Sequence, residues 1–380
     1  MIRIAAIGYG DIAQRRHFPQ LQELPGRATL VAIAGRDPTR LAACATKFNI
    51  PHWFTDPAAM LRQPDIDAVL ILTPPDTHAS YAEMAVRAGT HVLVEKPLVP
   101  TLAEATRLSA AVRTAPKPMT FMALPFIETP DHVLAANLIA RGAIGDVSAI
   151  ECHRGHRGPT HAAWFYNKAQ AGGGVLSDLG IYHLTSIAAL FGPATQLAAS
   201  LSTRFATRTM DDGTTVHPDV EDGALLTLVL ESGVIASMHA HWNGSQPHTA
   251  TRARVLVIGR TGSLYFGAAD GLVHLWRPTG DAASFGGEDG SYDGYPVRSF
   301  RPPGAGTPPS IVRAFVDRIE AGDTSTRSLD IQAHVLEIIA QAYAGAGTLK
   351  TRFQKKSAFC EQKNKKTSVT KRMKVFCFFF

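Results

Sequence analysis

Gly8-Tyr9-Gly10-Asp11-Ile12-Ala13 sets the spacing G-x-G-x-x-A between an apolar run, residues 2–8, and a helical stretch, residues 14–24. No other feature narrows the possible folds so much. The first glycine permits a tight turn, and the second lets backbone approach a pyrophosphate. Ala13 lets helix and strand pack closely, while the helix N-terminus faces the anion. Glycine also occurs in turns for conformational reasons alone, so the pattern gains its meaning from the strand–turn–helix context. Gly8, Tyr9, Gly10, Asp11 and Ile12 are therefore assigned to a bound dinucleotide.

The rhythm that follows supports a doubly wound sheet. Apolar strands are predicted at 29–35, 68–73, 91–95 and 118–123, with helices at 39–48, 77–88 and 102–114 between them. Continuous Val/Ile/Leu strands alternating with helices mean a parallel sheet covered on both faces. Near residue 123 the rhythm changes. A helix (132–141) and a strand (144–154) lead to Gly172-Gly173-Gly174, which opens a helix over 175–191. Strands follow at 195–208, 224–231, 234–242, 254–258, 263–266 and 272–277, with Glu231-Ser232-Gly233 as a hairpin turn. Residues 282–307, rich in Gly, Ser and Pro, read as a loop, and helices at 310–321 and 330–343 finish the body. The fold expected is an α/β Rossmann domain plus an α+β C-terminal domain with a large, mostly antiparallel open sheet. At 380 residues the chain suits two domains. We place them at 1–122 and 123–349, with a tail at 350–380.

A net charge of +6 raises the question of nucleic acid, and the location of the charge answers it. Residues 350–380 carry ten Lys+Arg against one acid, Glu361, whereas the remaining residues carry 28 basic and 31 acidic groups. The body is mildly acidic and offers no basic face to a phosphate backbone. The tail holds eight of the twelve lysines, an inversion of the body's preference for arginine that points to a disordered or non-native extension. Its last apolar run, Val375–Phe380, is too short to span a bilayer. Only Cys44 and Cys152 lie in the body, which excludes a disulfide framework and a cysteine metal cluster and suits a reducing cytoplasm. We expect no metal, no nucleic acid and no membrane partner.

The ends of the other strands carry the chemistry. Gly35 stands where an acid would favour NAD; a small residue there leaves room for a 2′-phosphate, with Arg36 and Arg40 to pair with it. NADP is thus preferred over NAD, the alternative being that Asp37 takes the ribose. Thr73-Pro74-Pro75-Asp76-Thr77-His78 forms a rigid turn at a ligand-facing strand end. Thr73, Pro74 and His78 line the nicotinamide half of the cleft, unless His78 is a capping or core histidine. Glu95-Lys96-Pro97 places an ammonium at the next strand end, where desolvation fits Lys96 to hold or relay a carbinol proton. On the later helix Asp178 and Tyr182 share a face at i,i+4. His183 lies about 140° around from Asp178 on a regular helix and is the more conventional base, so Tyr182 and His183 both stand as candidates. Asp178 could also cap the helix. His153, Arg154, His156, Arg157, Trp164 and Tyr166 precede it and could reach substrate hydroxyls.

Together these elements resemble the Gfo/Idh/MocA family, over about residues 1–349. The resemblance implies that Lys96 sits between nicotinamide and substrate and that Asp178 and the residue four later complete the site. Tyr182 in that place looks like the dihydrodiol dehydrogenase and glucose–fructose oxidoreductase branch, in which Tyr is the acid/base. It also implies a small sugar or polyol substrate and a homodimer or homotetramer formed through the open sheet. Leu124-Pro125-Phe126 departs from the family's polar pair at that place, and the lysine-rich tail replaces its closing strand. The expected activity is hydride transfer between NAD(P) and a carbinol carbon. The rivals are a glycosidase that oxidises transiently with bound NAD, and a non-catalytic NAD(P) sensor.

Overall fold

The computed structural model describes residues 1–124, 129–244, 254–267, 271–278, 282–292, 294–302 and 310–345. The tail at 350–380 and the site of the closing strand after Gly345 lie outside the described residues, as do Pro125 and Phe126.

The chain forms two compact units, and neither is one continuous stretch. The first comprises Met1–Phe126, Trp164–Gly173 and Pro309–Leu336; the second comprises Ile127–Ala163, Gly174–Pro308 and Glu337–Phe380. A single cut in the sequence has no way to express these returns.

In the first unit, β1 (Ile2–Ile7), β2 (Ala28–Ala34), β3 (His52–Phe54), β4 (Ala68–Ile71), β5 (His91–Val94) and β6 (Phe121–Ala123) form one sheet in the order β3-β2-β1-β4-β5-β6. Every pairing in it is parallel. Successive side chains of β1 alternate between two cores. Ala5 and Ile7 join Val69, Val92 and Phe121 under the helices His78–Ala88 and Leu102–Arg113. Ile4 and Ala6 join Leu70, Phe18, Leu41 and the returning helix Ile311–Glu320 on the other face. Burial on both faces explains why these strands read as unbroken apolar runs. The order reverses between β1 and β4, so their carboxyl ends open a crevice. β3 and the helix Pro57–Leu61 were not anticipated; each is short, and β3 is largely exposed, so neither has the apolar period that sequence reading depends on.

In the second unit the strands are β7 (Val147–Gly155), β8 (Ala194–Ser202), β9 (Arg208–Thr209), β10 (Thr215–Val216), β11 (Gly223–Leu230), β12 (Ile235–His241), β13 (Arg254–Gly259), β14 (Ser263–Phe266), β15 (Val273–Trp276), β16 (Glu288–Tyr292) and β17 (Tyr295–Phe300). Nine of them form a sheet in the order β16-β17-β15-β14-β13-β7-β12-β11-β8, in which only β7 and β12 run parallel. Leu226, Leu228, Ala236, Met238 and Val257 are buried on one side of it, while Leu225 and Ile235 stand exposed on the other.

Two expectations are corrected here. Residues 282–307 are not a loop throughout, since β16 and β17 pair as a hairpin that extends the sheet at its edge. Edge strands can be glycine-rich because only one neighbour must be satisfied. The strand expected over 195–208 ends at Ser202. The span Lys168–Phe191, helical on either side of the bend at residues 172–174, has the length and hydropathy to cross a membrane, but 89% of its apolar window is buried inside the protein, as in a core helix.

Candidate active site

In the first unit, Gly8 has φ +97°, and a Cβ there would lie 2.7 Å from the Leu72 carbonyl carbon and oxygen. Only glycine lets the ends of β1 and β4 come this close. At Gly10 the reverse holds, with nothing within 4 Å of where a Cβ would stand. The helix that starts here is π-wound over Ala13–His17, and no side chain caps its N-terminus. Bare backbone, open space and an uncapped helix end fit a diphosphate.

At the end of β2 the space over Gly35 is not vacant. A Cβ on Gly35 would fall 2.2 Å from Cε1 of Tyr9, so the glycine accommodates the Tyr9 ring rather than leaving room for a phosphate. The Arg40 guanidinium lies 5.8 Å from the centroid of that ring. Asp37 accepts a hydrogen bond from the Arg40 amide at 3.0 Å and caps the helix Pro38–Phe48. Its carboxylate is thus engaged locally, while Arg36 and Arg40 stand exposed beside it.

His78 is fully buried. Its Nδ1 lies 2.9 Å from the Pro97 carbonyl oxygen and its Nε2 lies 2.8 Å from that of Thr73. It ties the Thr73-Pro74 turn to Lys96-Pro97 from beneath, which is the core role rather than the lining role. Burial pushes its pKa down. Glu95 is also buried. One of its oxygens accepts from Nε2 of His17 at 2.8 Å and the other from the Lys96 amide at 2.8 Å. Burial alone would raise its pKa, but the hydrogen bond and charge of His17 hold it down to about 2. The Glu95 carboxylate therefore links the glycine-rich turn's helix to the lysine-bearing strand end. Lys96 is half-buried, with Nζ 5.9 Å from the Phe165 ring centroid. Trp164 stacks on Phe165 at 3.8 Å between centroids.

In the second unit, Asp178 lies in a π-wound turn, Leu176–Gly180, that runs into the helix Ile181–Phe191. The regular helical phase assumed between Asp178, Tyr182 and His183 does not hold there. The turn is anchored by Glu221, whose carboxylate accepts from the amides of Gly174 (3.1 Å) and Leu176 (2.9 Å) and from the Tyr343 hydroxyl (2.9 Å). Burial raises the pKa of Glu221, against these bonds. Tyr182 is half-buried, with the Arg154 guanidinium 4.0 Å from its ring centroid. His183 is 2% exposed and donates from Nε2 to the His153 carbonyl at 3.1 Å. Burial, and after it the charge of Arg154, pushes its pKa down to about 3.

His17, Phe165, Glu221 and Tyr343 were not singled out from the sequence. Phe165 lies between two aromatic residues that were. The other three had no local signal, because their partners are between 45 and 169 residues away. Among the described residues no cluster of His, Cys, Asp or Glu is gathered to hold a metal.

Known proteins match this sequence and fold. Residues 2–122 fit the model of the GFO/IDH/MocA oxidoreductase family's NAD-binding Rossmann fold, and residues 132–265 fit that of a GFO/IDH/MocA C-terminal domain. An uncharacterised oxidoreductase of Synechocystis is 29% identical over 70% of this chain and 72% of its own length. The 1,5-anhydro-D-fructose reductase of Ensifer adhaerens is 30% identical over 63% of this chain and 69% of its own. A dTDP-3,4-didehydro-2,6-dideoxy-alpha-D-glucose 3-reductase of Actinomadura kijaniata is 33% identical over 50% and 56%. Among solved structures, levoglucosan dehydrogenase in complex with NADH and L-sorbose superposes with a TM-score of 0.79 at 21% identity, over 92% of this chain and 99% of that one. A 3-ketoreductase from Actinomadura kijaniata in complex with NADP and TDP-benzene gives 0.71 at 24% identity, over 90% and 97%.

Proposed function

The chain belongs to the Gfo/Idh/MocA family of NAD(P)-dependent oxidoreductases, and on that premise we propose that it oxidises or reduces one carbinol carbon of a sugar, polyol or related diol. The observation that carries the reading is the placing of Lys96. Its strand end lies beside that of β4, and β4 borders the bare cradle of Gly8 and Gly10. A buried carboxylate grips its amide, and the Phe165 ring, itself stacked on Trp164, lies near its ammonium.

In this reading Gly8, Gly10 and the uncapped helix end at Asp11 and Ile12 hold the diphosphate. Tyr9, Arg36 and Arg40 take the adenosine end, and the engagement of Asp37 as a helix cap supports NADP as the preferred dinucleotide. A bound nicotinamide dinucleotide supplies the hydride or accepts it. Thr73 and Pro74 face it, with His78 and Glu95 acting beneath them on Lys96 and Pro97. Lys96 holds the substrate oxygen, Asp178 orients it, and the phenol oxygen of Tyr182 exchanges the hydroxyl proton. His183 is a poor candidate for that exchange, since its Nε2 is spent on a backbone carbonyl and charging it would bury a cation. The reading also includes a cytoplasmic setting and a second copy of the chain on the exposed face of the nine-stranded sheet, where Leu225 and Ile235 stand in solvent.

A panel of sugars and polyols, assayed by nicotinamide absorbance with NAD and NADP, tests the reading. Turnover of at least one carbinol substrate is expected, faster with NADP. Silence across the panel while cofactor binds would discard it. Tyr182→Phe is expected to lower kcat about a thousandfold, within the range for removing an acid–base group, whereas His183→Gln is expected to act on stability.

A further inference from the structure

Resting on the reading in which Tyr182 carries the substrate proton, we propose that Arg154 is its electrostatic partner: one guanidinium both favours negative charge on the Tyr182 oxygen and keeps His183 out of proton transfer.

Arg154 is the penultimate residue of β7, in register with Ala240 of β12. Ala240 is buried, so this register position belongs to the covered side of the sheet. The Arg154 Cζ lies 4.0 Å from the Tyr182 ring centroid. A guanidinium over an aromatic face is already attracted to the ring. The attraction grows when the ring's oxygen becomes anionic, and grows most where water is partly excluded. Both side chains are half-buried. Among the described residues no carboxylate pairs with Arg154, so its charge is not cancelled there.

The neighbouring residue feels the same cation with the opposite sign. His183 would carry positive charge if it took a proton, and the Arg154 charge adds to burial in opposing that. Two adjacent residues of one helix, one forming an anion and the other a cation, are thus separated into a proton carrier and a structural side chain. The other titratable or charged groups on the surrounding elements are Asp178 in the π-wound turn that leads into this helix, Glu221 anchoring that turn, Cys152 on the same side of β7 as Arg154, and, on the opposite side of the sheet, Glu151 and His153 of β7, His239 and His241 of β12 and Arg254 of β13. His132, on the helix Pro130–Ala140, reaches Tyr182 through Ser186, which binds the Tyr182 carbonyl. The buried faces of β11 and β12 towards this helix carry Leu226, Leu228, Ala236 and Met238, which have no charge.

The test needs no substrate. Tyrosinate absorbance of the cofactor-loaded protein is titrated with pH, and the Tyr182 step is obtained by subtracting the titration of Tyr182→Phe. In Arg154→Met that step is expected at higher pH than in the wild type, with Arg154→Lys between them. Arg154→Lys also guards against misfolding, because it keeps the charge and most of the stem. Coincident Tyr182 steps in wild type and Arg154→Met overturn the pairing. On an active substrate, Arg154→Met is expected to lower kcat about tenfold, the middle of the range for a partly desolvated cation–aromatic contact, with cofactor affinity unchanged. A shifted step with full turnover in Tyr182→Phe would support the pairing but end the assignment of Tyr182 to proton exchange. An inactive Tyr182→Phe beside a wild-type Arg154→Met would do the reverse.

Discussion

The Lys96 region and the Tyr182 region both hold a polar side chain in place, and they do so by different means. Around Lys96 the supports are largely near in sequence or prescribed by motif: its own neighbour Glu95, the turn Thr73-Pro74 and the glycines of the first loop. Around Tyr182 they come from afar. Glu221 reaches the turn from 47 residues on, Tyr343 from 169 residues on, and Arg154 from a strand of the large sheet. A parallel sheet delivers its strand ends to one edge by topology alone, so a motif at a strand end is a motif at the site. A helix lying on an open sheet gains its orientation only from tertiary partners.

The sharpest way to break the comparison is at its centre. Lys96→Met is expected to lower kcat about a thousandfold or more while cofactor affinity, read by fluorescence titration, changes little; near-normal turnover would remove Lys96 from the mechanism. Next come paired glycines. A Cβ on Gly174 would lie 1.9 Å from the Glu221 carbonyl oxygen, whereas Gly10 has open space. Gly174→Ala should therefore cost about 3 kcal/mol by denaturant melts, as overpacking against backbone does. Gly10→Ala should leave stability nearly unchanged and weaken dinucleotide binding. If both were equally stable, the anchoring of the Tyr182 helix would be misread.

A smaller effect concerns pH. His183 has a folded pKa pushed down to about 3, so between its ordinary value near 6.5 and that point the unfolded chain binds the proton and the folded chain does not. Stability must fall as pH falls through this window, by about 2 kcal/mol on reaching pH 5. Glu95 contributes in a lower window: its stabilisation is present above about 4.5 and is lost as pH falls towards 2. His183→Gln should remove the His183 share of the first loss, to which His78, His153 and His334 add, and leave the second. A melt series in which the variant tracks the wild type from pH 7 to pH 5 would contradict the burial argument. The smallest change expected is at the adenosine end, where Arg36→Ala should reduce the preference for NADP over NAD about tenfold, read from KM values for the two cofactors.

Much of the molecule was legible beforehand, and the reason differs by residue. Gly8 and Gly10 were legible because backbone conformation and close approach are properties of the residue itself. Lys96 stands out in the sequence because an ammonium next to a buried strand is costly anywhere but at a ligand edge. The small size of Gly35 is legible in the sequence but what lies over it is not, since nothing local says that Tyr9 folds back there. His78 was read as open to either role, and the structure places both its nitrogens on backbone carbonyls. The glycine-rich stretch at 282–307 was read by composition, which cannot see that an edge hairpin asks little of its side chains.

Apolar periodicity and turn chemistry, both carried within a few residues, were enough to determine the two architectures and the kind of cofactor. Which of Tyr182 and His183 is the better proton carrier in the proposed reaction is a question on which only the folded chain bears. That choice depends on a peptide carbonyl and a guanidinium brought from β7, about 30 residues away, and electrostatic fields follow distance in space, not distance along the chain.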